Sequence, residues 1–167
     1  LRRAIAVVIA LLAPLFGVAQ LNTARVMDIG RNALYFEDYV LSIQYFNKVI
    51  DAKPFLHEPY FYRGLAKYYL DDFVGAELDL TSAINRNPYV ARSYQLRGLC
   101  RASLDSLVLA EQDIRTGIKY DPQNINMWQN LAAVAMQAGE WEKAAGIVDS
   151  LLLFAPRNST AYVMRTQ

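Results

Sequence analysis

The sequence predicts an all-α solenoid of four helix-turn-helix units and the start of a fifth. Three observations predict it. Pro54, Pro88, Pro122 and Pro156 stand 34 residues apart, and a constant period of that length marks a repeat architecture. Framed on that period, the eighth place of each unit is small (Gly30, Gly64, Gly98, Ala132), and so is the twentieth (Ser42, Ala76, Ala110, Ala144). The fourth and seventeenth places are mostly aromatic, with Tyr60, Tyr94 and Trp128 in one and Tyr39, Phe73 and Trp141 in the other. Small residues at facing places let two helices approach closely, and a large side chain there would overpack the crossing by roughly 1–3 kcal/mol. The aromatics fill the wider gaps around it. Proline cannot continue a helix, so it ends the second helix and turns the chain into the next unit.

Residues 1–19 belong to no unit. Arg2 and Arg3 precede an uncharged, mostly apolar run from Ala4 to Ala19, and Gly17-Val18-Ala19 puts small residues before Gln20. A basic start, an apolar centre and a small-residue end are the marks of a secretory signal peptide. The run of sixteen residues is shorter than the ~20 needed to span a bilayer. A signal peptide is the expectation, with an uncleaved N-terminal membrane anchor as the alternative. The expected location is the periplasm or cell envelope of a Gram-negative bacterium. No cysteine near the cleavage site supports a lipid-modified N-terminus.

The units follow in order: Thr23–Leu56, His57–Val90, Ala91–Asn124 and Ile125–Asn158. In the second, third and fourth, the pairs Asp71-Asp72, Leu104-Asp105 and Gly139-Glu140 fall between the two helices, where Gly and Asp serve as turn and cap residues. Ser159–Gln167 reads as a truncated fifth unit or a capping helix, which leaves Tyr162 and Met164 with partial cover.

These columns resemble the tetratricopeptide repeat, a 34-residue helix-turn-helix with small residues at the crossing and a terminal proline. The resemblance covers Thr23 to Asn158 in full. Unit one departs most, with Val26, Ser42 and Val49 where the family prefers an aromatic and two alanines, as terminal repeats often do. The resemblance implies a right-handed superhelix whose first helices line a concave groove. It implies that the second, fifth, ninth, twelfth and thirteenth places of each unit face that groove. The candidate contacts for a partner are then Met27, Arg31, Phe61, Leu65, Tyr68, Tyr69, Arg92, Gln95 and Gln129. Phe61, Leu65, Tyr68 and Tyr69 form an apolar aromatic group on unit two beside a more polar strip. That combination fits a peptide with one or two anchoring side chains. The bland alternative is that Leu65, Leu99 and Tyr68 are buried between helices. The family's grip on a C-terminal carboxylate uses Lys at the fifth place and Asn at the ninth. This chain has neither, which argues against a cytosolic chaperone-tail adaptor.

One charge pattern repeats. Units two and three carry Arg63 and Arg97 at the seventh place and Asp79 and Asp113 at the twenty-third, whereas units one and four have Ile29 with Tyr45 and Leu131 with Ile147. Arg and Asp occur together or not at all, so Arg63 is expected to pair with Asp79, and Arg97 with Asp113, inside each unit. These are structural pairs. With 54% apolar and 20% charged residues and a formal net charge of +1, nothing points to nucleic acid as a partner. A membrane partner enters only through the N-terminal segment.

Catalysis finds no motif. His57 is the only histidine and Cys100 the only cysteine, so neither a zinc cluster nor a disulfide is expected. No Gly-x-Ser-x-Gly elbow or phosphate loop occurs. No metal, cofactor or enzymatic activity is expected. Two functions follow: an exported, non-catalytic scaffold holding a peptide or protein in its groove, or the repeat arm of a longer polypeptide with an enzymatic or signalling domain beyond Gln167.

Overall fold

The computed structural model describes residues 22–165. The expected signal peptide and the last two residues lie outside them. The described residues form nine helices and no strand: α1 Thr23–Tyr35, α2 Tyr39–Ala52, α3 Glu58–Tyr69, α4 Phe73–Arg86, α5 Ala91–Ser103, α6 Leu107–Tyr120, α7 Ile125–Gln137, α8 Trp141–Phe154 and α9 Ser159–Arg165. Each helix packs on the next in sequence, and the first helices of successive units also touch, α1 with α3, α3 with α5 and α5 with α7. The result is a right-handed α–α superhelix in which α1, α3, α5 and α7 form one layer and α2, α4, α6 and α8 the other.

The turn inside each unit is one repeated motif. Glu37, Asp71, Asp105 and Gly139 take φ values of 62°, 58°, 58° and 74°. The next backbone N–H then reaches back to the helix: Asp38 to Ala33, Asp72 to Lys67, Ser106 to Arg101 and Glu140 to Ala135, at 2.8–3.0 Å. This left-handed cap satisfies the last free carbonyls of the first helix. Asp38 and Asp72 also accept from the N–H of Leu41 and Gly75 and so cap the second helix. The cap column is uneven, since Ser106 and Glu140 make no such side-chain bond.

Each period-setting proline stands two residues beyond a helix that ends at Ala52, Arg86, Tyr120 or Phe154. Three of the four prolines also lend their carbonyl. Tyr60 donates to Pro54 O at 3.2 Å, Trp128 to Pro122 O at 2.8 Å and Tyr162 to Pro156 O at 3.2 Å. In units two and four the fourth-place aromatic therefore fastens the first helix to the exit loop of the unit before it. Tyr162 in α9 repeats this contact, so α9 docks as the first helix of a unit. Its Ala161 is fully buried.

The small-residue columns sit at the crossings. A Cβ on Gly30 would lie 2.7 Å from a Phe46 ring carbon, and one on Gly98 would lie 2.7 Å from Ile114 Cγ1. At Gly64 the nearest atom, Leu80 Cγ, is at 3.1 Å. Ala76 faces Gly64 and Ala110 faces Gly98; both are buried, as is Ala144 at the same place of unit four. The apolar core forms two clusters. One runs through Tyr60, Phe61, Ala76, Leu80, Ala83, Leu96 and Cys100. The other runs from Ala110 and Ile114 through Met127, Leu131 and Val148 to Ala161.

Charged side chains bridge the seam between these clusters. Arg63 holds Asp79 through Nε at 2.8 Å and Nη2 at 2.5 Å, and Arg97 holds Asp113 through the same two nitrogens at 2.8 and 2.7 Å. The third nitrogen of each Arg crosses to the preceding unit, Arg63 to Asn47 and Arg97 to Thr81. Two further cations complete the network. Lys67 reaches Asp79 at 2.9 Å, and Arg101 joins Asp113 at 2.9 Å to Glu77 at 2.7 Å. These eleventh-place cations were not foreseen in the sequence. Their signal was present, since Lys67 and Arg101 occur only in the two units that carry the Arg–Asp pair. The bond to Asp79 holds the Arg63 guanidinium above its ordinary pKa, although burial opposes this.

Candidate functional site

Two cavities open on the first-helix layer and meet. The smaller, about 160 Å³, lies between α3 and α5 and is lined by Phe61, Leu65, Tyr68, Tyr69, Arg92, Gln95, Leu96 and Leu99. The larger, about 380 Å³, lies between α1 and α3 at the turn edge, with Arg31, Leu34, Tyr35, Glu37, Tyr39, Tyr62, Leu65 and Tyr69 around it. Leu65 and Tyr69 belong to both. Together the cavities form a diagonal from the α1–α2 turn to the start of α5.

Helical spacing builds this diagonal. Phe61, Leu65 and Tyr68 lie one turn apart on α3, so their side chains share a face. Phe61 is 7% exposed, so it is the floor of the smaller cavity and not a free anchor for a ligand. Leu65, Tyr68 and Leu99 are half-buried, and Tyr69 is 53% exposed. Tyr69 stacks on Tyr39, with ring centres 5.1 Å apart, and meets Tyr68 edge-on. Burial pushes the Tyr68 phenol up, with the Cys100 thiol beside it adding to the effect. Desolvation, then Glu37 and Tyr69, raises the Tyr39 phenol as well. The Tyr39 and Tyr68 phenols are thereby held as neutral hydrogen-bonding groups on an apolar wall. Cys100 lies behind that wall, fully buried. Burial, with Glu77 adding, pushes its thiol up to about 12, so it is an inert core residue.

The nine sequence-chosen contacts divide. Phe61, Leu65, Tyr68, Tyr69, Arg92 and Gln95 come together in the smaller cavity, and Arg31 lines the larger one. Arg31 pairs with Asp28 and lies over the Tyr62 ring, 5.9 Å from its centre. Met27 lines neither cavity. Gln129 also lines neither: its amide donates to Asn158 Oδ1 at 3.1 Å, which ties α7 to the loop before α9. Sequence reasoning missed Tyr62, Tyr39 and Glu37. Tyr39 stands in the seventeenth-place column, whose aromatics are expected between helices. In unit one it turns onto Tyr69 instead.

Two other hollows, about 440 and 470 Å³, lie at Phe154–Asn158 and Gly139–Lys143. The first also touches Ile125 at the start of α7, and the second runs from the turn onto the first residues of α8. Neither contains any of the nine. Among the described residues no group of three or more His, Cys, Asp and Glu side chains could hold a metal ion. No described helix is long and apolar enough to cross a membrane.

No protein-family model matches the chain, and no curated protein sequence matches it significantly. Solved structures do. The first tetratricopeptide domain of Spaghetti (RPAP3), bound to the HSP90 peptide SRMEEVD, superposes with a TM-score of 0.69 at 22% identity, over 74% of this chain and 98% of that one. The chain has the tetratricopeptide-repeat fold. MamA from Desulfovibrio magneticus RS-1 superposes with a TM-score of 0.77 at 18% identity, over 83% of this chain and 78% of that one. The second tetratricopeptide domain of human RPAP3, in complex with the HSP70 peptide SGPTIEEVD, gives 0.64 at 24% identity, over 65% and 91%. At these identities the likeness is one of fold.

Proposed function

We propose that this chain is a non-catalytic interaction scaffold that holds a peptide segment of another protein in its concave groove. The observation that carries the reading is the pair of joined cavities on the first-helix layer, lined by Leu65 and Tyr69 in common. At about 160 Å³ the inner cavity is smaller than the roughly 300–1,000 Å³ of small-molecule pockets. It has room for a side chain. Aromatic walls with a polar lip give the anchor-in-pocket arrangement of peptide grooves. Two of the structural neighbours are solved with chaperone peptides, which supports a peptide as the class of ligand. It does not carry over their ligand, because the fifth places here hold Met27, Phe61, Gln95 and Gln129 and the ninth Arg31, Leu65, Leu99 and Ala133. No Lys or Asn stands where the family grips a C-terminal carboxylate.

Export to a bacterial envelope is the second half of the proposal. It rests on the basic, apolar and small-residue order of residues 2–19 alone. The experiment that tests the groove places a photo-crosslinking residue at Tyr69, and in a second protein at Val74, which is exposed on the other layer. Each is expressed in the producing cell. A partner crosslinked from Tyr69 and absent from Val74 is the expected result. The same products from both positions, or from Val74 alone, would remove the groove as the site. Fractionation of the same cells tests the envelope: a cytoplasmic chain that keeps residues 1–19 ends that half of the proposal.

A further inference from the structure

The groove carries two charges that the fold does not use. Arg63, Arg97, Arg101, Arg31, Arg115 and Arg165 each meet a carboxylate. Arg92 meets none among the described residues, nor any hydrogen-bond acceptor. Its guanidinium lies over the Phe61 ring, 5.4 Å from the centre, at the lip of the inner cavity. A cation held near a ring face in this way keeps N–H groups available to a carboxylate. At the other end of the diagonal, Glu37 lines the outer cavity. It is exposed, it is held at φ 62° in the α1–α2 turn, and its carboxylate has no ion-pair partner among the described residues. Between the two lie Leu65, Tyr69 and Leu99. Gln95, half-buried beside Arg92, offers an amide to a passing backbone.

We infer that the groove recognises an extended segment of fixed charge order: a basic side chain at Glu37, an apolar side chain in the inner cavity, and an Asp or Glu side chain on Arg92. The inference rests on the groove reading and adds the partner's chemistry and direction. The physical reason is complementarity. Unpaired charges at opposite ends of an apolar slot penalise a segment laid in the reverse sense, because each end would then face a like charge. An extended chain sends alternate side chains to one face, so the three recognised residues lie at alternate places.

A random peptide library, displayed with its C-terminus blocked, is selected on the 167-residue chain and on the double variant Glu37→Lys/Arg92→Glu. Both sites are exposed, and thermal melts check that the variant is folded. The expected result is enrichment of a basic–apolar–acidic order at alternate places on the natural chain, and of the inverted order on the variant. Peptides selected on the natural chain should lose about threefold or more in affinity for the variant, the scale of two solvent-exposed charge pairs. Enrichment of apolar residues with no charge order, or of the same order on both proteins, overturns the inference and leaves the groove standing. If Tyr69→Asp leaves the selected peptides bound as before, they sit elsewhere and the groove reading falls with it. No enrichment on either protein overturns the inference, and the Tyr69 crosslink then decides the groove separately.

Discussion

Ser42 occupies a place that the other units give to alanine, and the structure shows why alanine is preferred there. Its side chain is fully buried at the α1–α2 crossing, and its hydroxyl has no hydrogen-bond partner among the described residues. A buried hydroxyl without a partner keeps its desolvation cost and gains nothing in return. Ser42→Ala is therefore expected to raise stability by about 1 kcal/mol, read as a higher urea midpoint at unchanged slope. A lower midpoint would mean that the hydroxyl has an acceptor after all. At this scale the sequence was readable wherever a column constrained one atom or one dihedral. The small columns and Gly139 announced themselves. Glu37 did not, because nothing in a Glu codes for a left-handed turn. Only the repeat register, with Asp71, Asp105 and Gly139 at the same place, points to its φ.

Helices in this array are held by how closely they cross, and two glycines separate that effect from helix propensity. Gly98→Ala gains roughly 1 kcal/mol of helix propensity. It also places a methyl 2.7 Å from Ile114 Cγ1 and 3.0 Å from the Ala110 carbonyl oxygen. The carbonyl belongs to the facing backbone and cannot rotate away, so overpacking of about 1–3 kcal/mol is the larger effect. A net loss of about 1 kcal/mol is expected. Gly146, in the middle of α8, has nothing within 4 Å of an added Cβ. Gly146→Ala should gain up to about 1 kcal/mol. Chemical denaturation of the two single variants should move in opposite directions. If both gain, the crossing has slack and the small-residue column is not a packing requirement. The elements themselves followed from the sequence, because proline and the turn residues fix where each helix ends. The second cations, Lys67 and Arg101, did not, because only the folded pair of units brings them to Asp79 and Asp113.

At the scale of the molecule, each unit touches only its neighbours, so stability is a sum of unit terms and interface terms. The interface of units two and three is unusual. Asp113 accepts from Arg97 and Arg101, and Arg101 carries Glu77 of unit two. This network bridges the two apolar clusters. Asp113→Asn strips the charge that two guanidiniums share and is expected to cost about 3 kcal/mol. It should also loosen the coupling, so that hydrogen exchange shows α6–α8 opening before α3 and α4. A single sharp transition with protection lost equally in both halves would mean that the network adds stability without joining the units. The groove sits across the same stack, at units one to three, and its shape depends on the angles these interfaces set.

The sequence by itself determined the fold and the Arg–Asp pairing, because a repeat prints the same local constraint at fixed intervals and coincidence in several columns leaves few readings. Through the resemblance it carries to the tetratricopeptide repeat, it also picked out six of the residues that meet in the inner cavity. Only the tertiary structure decided that Phe61 is floor, that Gln129 is tied to Asn158, and that Tyr39 and Glu37 join Tyr69 at the groove's edge. Those relations depend on the rotation from one unit to the next, which brings the end of α1 beside the end of α3. That rotation is set by side-chain packing at every interface together, and no single column of the sequence contains it.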